Sequence, residues 1–92
     1  MKTIWKFELD IAPGDRICVS MPKGAVVLSA GVKGHNFMIW AIVDPAAPKV
    51  NRNFSVHGTG HPIPAEVEWS AFINTVFMGT FVFHVFDMGE QV

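Results

Sequence analysis

The heptapeptide GTGHPIP, residues 58–64, holds the positions in this chain best suited to binding chemistry. Gly58 and Gly60 allow backbone N–H groups to converge on an anion. Thr59 adds a hydroxyl, and His61 gains a positive charge below about pH 6.5. The segment lacks the Lys-Ser/Thr ending of a P-loop and the register of a dinucleotide-binding glycine motif. It therefore predicts either an anion-binding loop or only a rigid corner stiffened by its two prolines.

Two arginines and a tryptophan supply the other parts that a nucleotide-like ligand requires. A guanidinium pairs with phosphate, and an indole ring stacks on a nucleobase. Core packing is the alternative role for the tryptophan. The ligand-binding residues expected from the sequence are Gly58, Thr59, Gly60, His61, Arg52, Arg16 and Trp40.

Catalytic and metal sites have weaker support. His57 and His61 are four residues apart, a spacing that aligns two ligands on a helix, but the glycines between them disfavour a helix. Glu66 and Glu68 would form an acid–base pair only on a strand, and on a surface turn they are simply solvated. The sequence therefore predicts no catalytic residue, no metal and no cofactor. An enzyme that uses His57 or His61 is the least favoured alternative.

Alternating apolar and polar residues predict the strands that would position these groups. The alternation covers residues 4–10, residues 16–21 and the segment around Phe54. Residues 37–43 and 72–86 are apolar on both faces, which predicts strands covered on both sides. The glycine within the second run predicts a tight reversal or a bulge between two strands.

Segments rich in Gly and Pro separate these runs at short intervals and predict turns at residues 12–15, 21–24, 33–36 and 44–48. Helical periodicity is nearly absent, and only residues 64–70 could form one short helical turn. The chain is therefore expected to be all-β: a single domain, residues 1–92, forming a compact sandwich or barrel of about seven antiparallel strands.

Composition limits the classes of partner. Hydrophobic residues make up 50% and charged residues 16% of the 92 residues, with a net charge of −1. This balance excludes a broad basic surface for double-stranded nucleic acid, and no apolar run reaches the roughly 18 residues that span a bilayer. The single cysteine, Cys18, excludes an intrachain disulfide and indicates a cytoplasmic protein. So much apolar surface on a small domain predicts a homo-oligomer.

Six segments together resemble a known family: MKTIWKFEL, MPKGAVVLS, WAIVDPAAPK, FSVHGTGHPIP, FINTV and FVFHVF. The family comprises small proteins of about ninety residues encoded by tailed phages and prophages and labelled as a domain of unknown function. The resemblance implies a phage protein that acts in the bacterial cytoplasm. It transfers no catalytic residue.

The function expected from these observations is non-enzymatic. By analogy with other small phage β-proteins, the homo-oligomer would sequester a small anionic, nucleotide-like signalling ligand of bacterial immunity. The alternative is a protein-interaction module that docks on a host or phage protein and inhibits it.

Overall fold

The computed structural model describes residues 1–10 and 16–91. Within these residues the elements are β1 (Thr3–Leu9), β2 (Arg16–Pro22), β3 (Val26–Lys33), β4 (Asn36–Val43), β5 (Lys49–Gly58), a 3-10 turn (Trp69–Ala71), β6 (Phe72–Met78) and β7 (Phe81–Glu90). The all-β prediction is confirmed. The short helical turn falls at the end of the predicted range, and the turn expected at residues 12–15 lies outside the described residues.

The strands form two antiparallel sheets, a three-stranded sheet in the order β1-β4-β3 and a four-stranded sheet in the order β2-β5-β7-β6. The inner faces of the two sheets pack together. The alternation of apolar and polar residues along each strand places apolar side chains on these faces, and the strand register pairs them across neighbouring strands. Phe7 pairs with Ile39 in one sheet, and Val56 pairs with Val85 in the other. The fully buried Phe54 lies in the resulting core. Burying such side chains supplies most of the favourable free energy of folding.

The two sheets are joined along one side by an asparagine. The Asn74 amide oxygen accepts a hydrogen bond from the Ala30 N–H at 2.7 Å, and its amide nitrogen donates to the Ala30 carbonyl at 2.8 Å. Asn74 follows a β-bulge in β6 and thereby takes the place of a missing strand partner for β3. The fold is therefore a sandwich that is partly closed, as a barrel is, between β3 and β6.

The segment between β5 and β6 has to return along the length of the four-stranded sheet. Both strands run antiparallel to β7 and hence parallel to each other, so residues 59–71 form a crossover connection. Glu66 of this crossover lies 3.5 Å from Arg16 of β2, and the 3-10 turn packs on β7. The crossover therefore runs over the outer face of the four-stranded sheet. It covers Ser55 and His57, which are buried although they lie on that outer face.

Candidate functional site

The GTGH segment begins the crossover as a type II turn. The His61 N–H donates to the Gly58 carbonyl at 3.1 Å, and Gly60 has φ +86°. That turn type requires a positive φ at its third residue, which explains the glycine. The His61 ring packs against Gly58 so closely that a Cβ there would lie 3.0 Å from its Nδ1 atom. The segment is thus a corner with a defined conformation.

Two backbone N–H groups of this turn are hydrogen-bonded within the chain. Thr59 donates to the Val82 carbonyl at 3.1 Å, and His61 donates within the turn. The Gly60 N–H takes part in neither bond. An anion at this corner would therefore meet the Gly60 N–H and the exposed His61 ring, a smaller set of donors than the sequence predicts.

A histidine held by two threonines lies beside the corner. The Thr59 hydroxyl hydrogen-bonds with His84 Nε2 at 2.7 Å, and the Thr75 hydroxyl hydrogen-bonds with His84 Nδ1 at 2.9 Å. A neutral imidazole donates through one nitrogen and accepts through the other, so one threonine donates to the ring and the other accepts from it. Both ring nitrogens therefore have partners, and this arrangement orients the ring between β5 and β6.

His57 is the cross-strand partner of His84 and is buried beneath the crossover. Its Nε2 atom lies 3.0 Å from the Ser55 hydroxyl, and among the described residues its Nδ1 atom has no hydrogen-bond partner. Burial lowers the pKa of His57 below its ordinary value of 6.5, and repulsion from His84 lowers it further. Because Ser55 is also buried, a substrate cannot reach this serine–histidine pair. The pair belongs to the packing of the sheet under the crossover.

Arg52, which the sequence predicts as a ligand-binding residue, is bound within the fold. Its Nε and Nη2 atoms donate to the two carboxylate oxygens of Asp87 at 3.0 and 2.7 Å, and Nη1 donates to the Ala25 carbonyl at 2.7 Å. Hydrogen bonding to Asp87 raises the pKa of Arg52 despite the opposing effect of burial. The guanidinium therefore joins β5, β7 and the β2–β3 turn.

The seven expected ligand-binding residues are not gathered in one site. Arg16 lies on the outer face of β2, where it is paired with Glu66. Trp40 lies on the outer face of β4 in the other sheet, and its ring covers Gly31, where a Cβ would be 2.9 Å from the Trp40 Cζ3 atom. Only the corner residues, from Gly58 to His61, are neighbours in the structure.

A cleft of about 720 Å³ opens at one end of the sandwich, a volume typical of small-molecule sites. It lies where the end of β1, the β3–β4 turn and the β6–β7 hairpin meet. Three phenylalanines line it: Phe37, Phe81 and Phe83. The Phe81 and Phe83 rings are stacked, with centroids 6.1 Å apart and planes 20° apart. Phe37 meets Phe83 at a centroid distance of 5.3 Å.

The polar side chains at the same cleft are two carboxylic acids, an imidazole and an amide. They are Glu8 and Asp10 from β1 and its end, with His35 and Asn36 from the β3–β4 turn. The two carboxylates repel an anion and accept hydrogen bonds from N–H donors. The cleft can therefore hold a flat ring between aromatic and hydrogen-bonding walls, and none of these four residues is a lysine or an arginine that would attract a phosphate.

This cleft could not be predicted from the sequence, because its residues are far apart in the chain and carry no motif. One signal was present: Phe81 directly follows the Gly79–Thr80 reversal, and such a position at a sheet end leaves an aromatic ring partly outside the core. Phe81 is 65% exposed. Gly79 has φ +60°, so the predicted reversal between two strands is confirmed.

The described part of the chain contains neither a cluster of metal-binding side chains nor a membrane-spanning helix. No group of three or more His, Cys, Asp or Glu side chains converges as a metal site there. Across residues 1–10 and 16–91, no helix is long and apolar enough to cross a membrane.

Comparison with family models gives one finding. The model described as "Domain of unknown function (DUF7352)" matches residues 1–92, the full length of the chain. Comparisons with curated proteins and with solved structures give no match.

Proposed function

The chain belongs to the DUF7352 family, and we propose that it is a non-enzymatic, self-associating protein that binds a flat, nucleobase-like ligand in the end cleft. The stacked pair of Phe81 and Phe83 carries this proposal. Stacking of a base on an aromatic side chain contributes about 1–3 kcal/mol. The exposed ring of Phe81 offers such a surface at the cleft.

The polar residues of the cleft determine which end of a nucleotide-like ligand enters the cleft. Carboxylates such as Asp10 accept hydrogen bonds from exocyclic amino groups, as Asp and Glu accept from the amino group of cytosine. Asn36 both donates and accepts. A phosphate would be repelled by the same carboxylates. A nucleotide-like ligand would therefore insert its base and leave its anionic part outside.

Calorimetric titration with a panel of nucleosides and their monophosphates tests this proposal. We expect a nucleoside to bind at least as tightly as its monophosphate. Phe81→Ala should weaken binding by about 1–3 kcal/mol. Phe77→Ala is the matched control, because Phe77 lies on the same hairpin, is 68% exposed and does not line the cleft. Equal losses in the two variants, or no binding by any nucleoside, would contradict the proposal.

An anionic ligand at the corner is a second candidate, favoured by the Gly60 N–H and the exposed ring of His61. His61→Ala should then weaken nucleotide binding. Thr59→Ala should leave the affinity nearly unchanged, because the Thr59 hydroxyl is bonded to His84. Wild-type affinity in both variants, with unchanged thermal melting, would leave the segment as a corner only.

Docking on a host or phage protein is the other candidate, and Trp69 supports it. This side chain is 87% exposed at the end of the crossover, and tryptophan is enriched among residues that dominate binding energy at protein interfaces. A phage or prophage origin and action in the bacterial cytoplasm are proposed from the sequence resemblance. They provide the setting in which such a binding protein would act.

A further inference from the structure

We infer that the outer face of the three-stranded sheet is a dimer interface, and that it stacks on the same face of a second copy of this chain. The inference specifies the surface for the self-association proposed above. It does not depend on which ligand the cleft holds.

This face is less covered by the rest of the chain than the other three sheet faces are. The two inner faces pack on each other, and the crossover covers the middle of the outer face of the four-stranded sheet, over Ser55 and His57. No described segment lies over the outer face of β1, β4 and β3. An apolar sheet face is stable in water when a second layer covers it, and sheets that stack face to face lie about 10 Å apart.

Residues of this face form rows that run across all three strands. The first row is entirely aliphatic: Ile4 pairs with Ile42, which also pairs with Val26. Ile4 and Val26 are each more than half exposed. In the next row Trp40 lies between Lys6 and Ser29, and its ring covers Gly31. The apolar surface therefore extends from one edge of the sheet to the other in the first row and narrows to Trp40 in the second.

The exposed aromatic residues on the four-stranded sheet are a weaker candidate for self-association. Phe72 and Phe77 share the outer face of its edge strand β6. Thr75 lies between them, and the crossover packs beside them. These two rings therefore lie apart along the edge of the sheet and do not form a continuous apolar surface.

Charges on the part of the face that follows the aliphatic row favour a second copy as the occupant. The nearby ammonium group of Lys33 lowers the pKa of Lys6, because the two positive charges repel each other. Among the described residues, neither lysine forms a salt bridge within the chain. Glu8, on β1, faces outward at the rim of the end cleft and is likewise unpaired among the described residues. A partner that brings one carboxylate to the lysines and one ammonium group to Glu8 would complement this part of the face.

A two-fold axis that lies between the two copies and parallel to β4 brings the apolar rows together and also brings opposite charges together. It places β1 of one copy over β3 of the second copy and keeps each row opposite the same row. Ile4 then meets Val26 of the second copy, and Ile42 meets Ile42 of the second copy. Glu8 faces the end of β3 in the second copy, where Lys33 lies. The symmetry forms this ion pair twice, as an isologous interface requires.

Light scattering and sedimentation of the full chain at micromolar concentrations test the inference. We expect the wild-type protein to have twice the mass of one chain. Val26→Lys should raise the dimer dissociation constant about tenfold or more, because it places a charge in the apolar row. Phe77→Lys is the matched control on the other sheet and should leave the dimer intact. Val26 is exposed in a single copy, so thermal melting of a monomeric variant should still show a folded chain.

Charge reversal tests the proposed two-fold arrangement itself. Glu8→Lys and Lys33→Glu should each weaken the dimer, and the double variant should restore it. A wild-type monomer overturns the inference. Dissociation by Phe77→Lys but not by Val26→Lys also overturns it, and so does a double variant weaker than either single one. Nucleoside titration of the Val26→Lys monomer separates failure of this interface from failure of the ligand proposal.

Discussion

Replacing Arg52 by methionine should be among the most damaging single changes to this domain. Its guanidinium makes two hydrogen bonds to Asp87 and a third to the Ala25 carbonyl. The side chains of the ion pair are only 13% and 19% exposed. Arg52→Met would leave the Asp87 carboxylate with little solvation and remove the donor from the carbonyl.

The expected loss follows from this burial. Breaking a buried ion pair by removing one partner costs about 3–5 kcal/mol. The residual exposure of Asp87 places the expected cost near the lower limit, at about 3 kcal/mol. In a domain of this size that loss corresponds to a melting temperature lower by roughly 12–24 °C. It is a large fraction of the roughly 5–15 kcal/mol that small proteins have in total.

Urea denaturation followed by tryptophan fluorescence measures the loss. Arg16→Met is the matched control, because Arg16 pairs with Glu66 at 3.5 Å with side chains 59% and 58% exposed. An exposed pair of this kind contributes less than about 1 kcal/mol.

A double variant identifies the cause. Asp87→Asn, added to Arg52→Met, removes the uncompensated charge and keeps an acceptor for the Gly89 N–H, which donates to Asp87 at 3.0 Å. It should recover about 1–2 kcal/mol. The reasoning is refuted if Arg52→Met costs no more than Arg16→Met. Arg52 would then be available for the ligand role that the sequence predicts.

Three further predictions follow from single contacts. Because the pKa of His57 is lowered on folding, the unfolded chain binds more protons below pH 6.5, and stability should fall as pH decreases through that range. His57→Gln should reduce this slope in denaturation curves measured between pH 5 and 7, approximately the range over which histidine titrates. Gly31→Val should lower the melting temperature and alter Trp40 fluorescence, because the new Cβ meets the indole ring. Gly60→Val should destabilise the fold by about 1–3 kcal/mol in urea titrations, because valine disfavours a positive φ, whereas Thr59→Ala should leave stability nearly unchanged.

The elements of this fold could be predicted from the sequence because strands and turns are specified by local patterns. Alternation from Ile4 onward placed Trp5 and Phe7 on the inner side of β1. The two-sided apolar run at residues 37–43 became β4, the central strand of its sheet. Glycines marked the turns that need a positive φ, including Gly60 and Gly79.

Only the tertiary structure decided the roles of the polar residues, because each role depends on a partner distant in sequence. Arg52 meets Asp87, 35 positions further along the chain. His57 alternates like an exposed residue and is buried because the crossover returns over it. The cleft brings the end of β1 beside Phe81 of the last hairpin. A local pattern specifies which way a side chain points along its own strand. Strand order and the path of the crossover determine what that side chain meets.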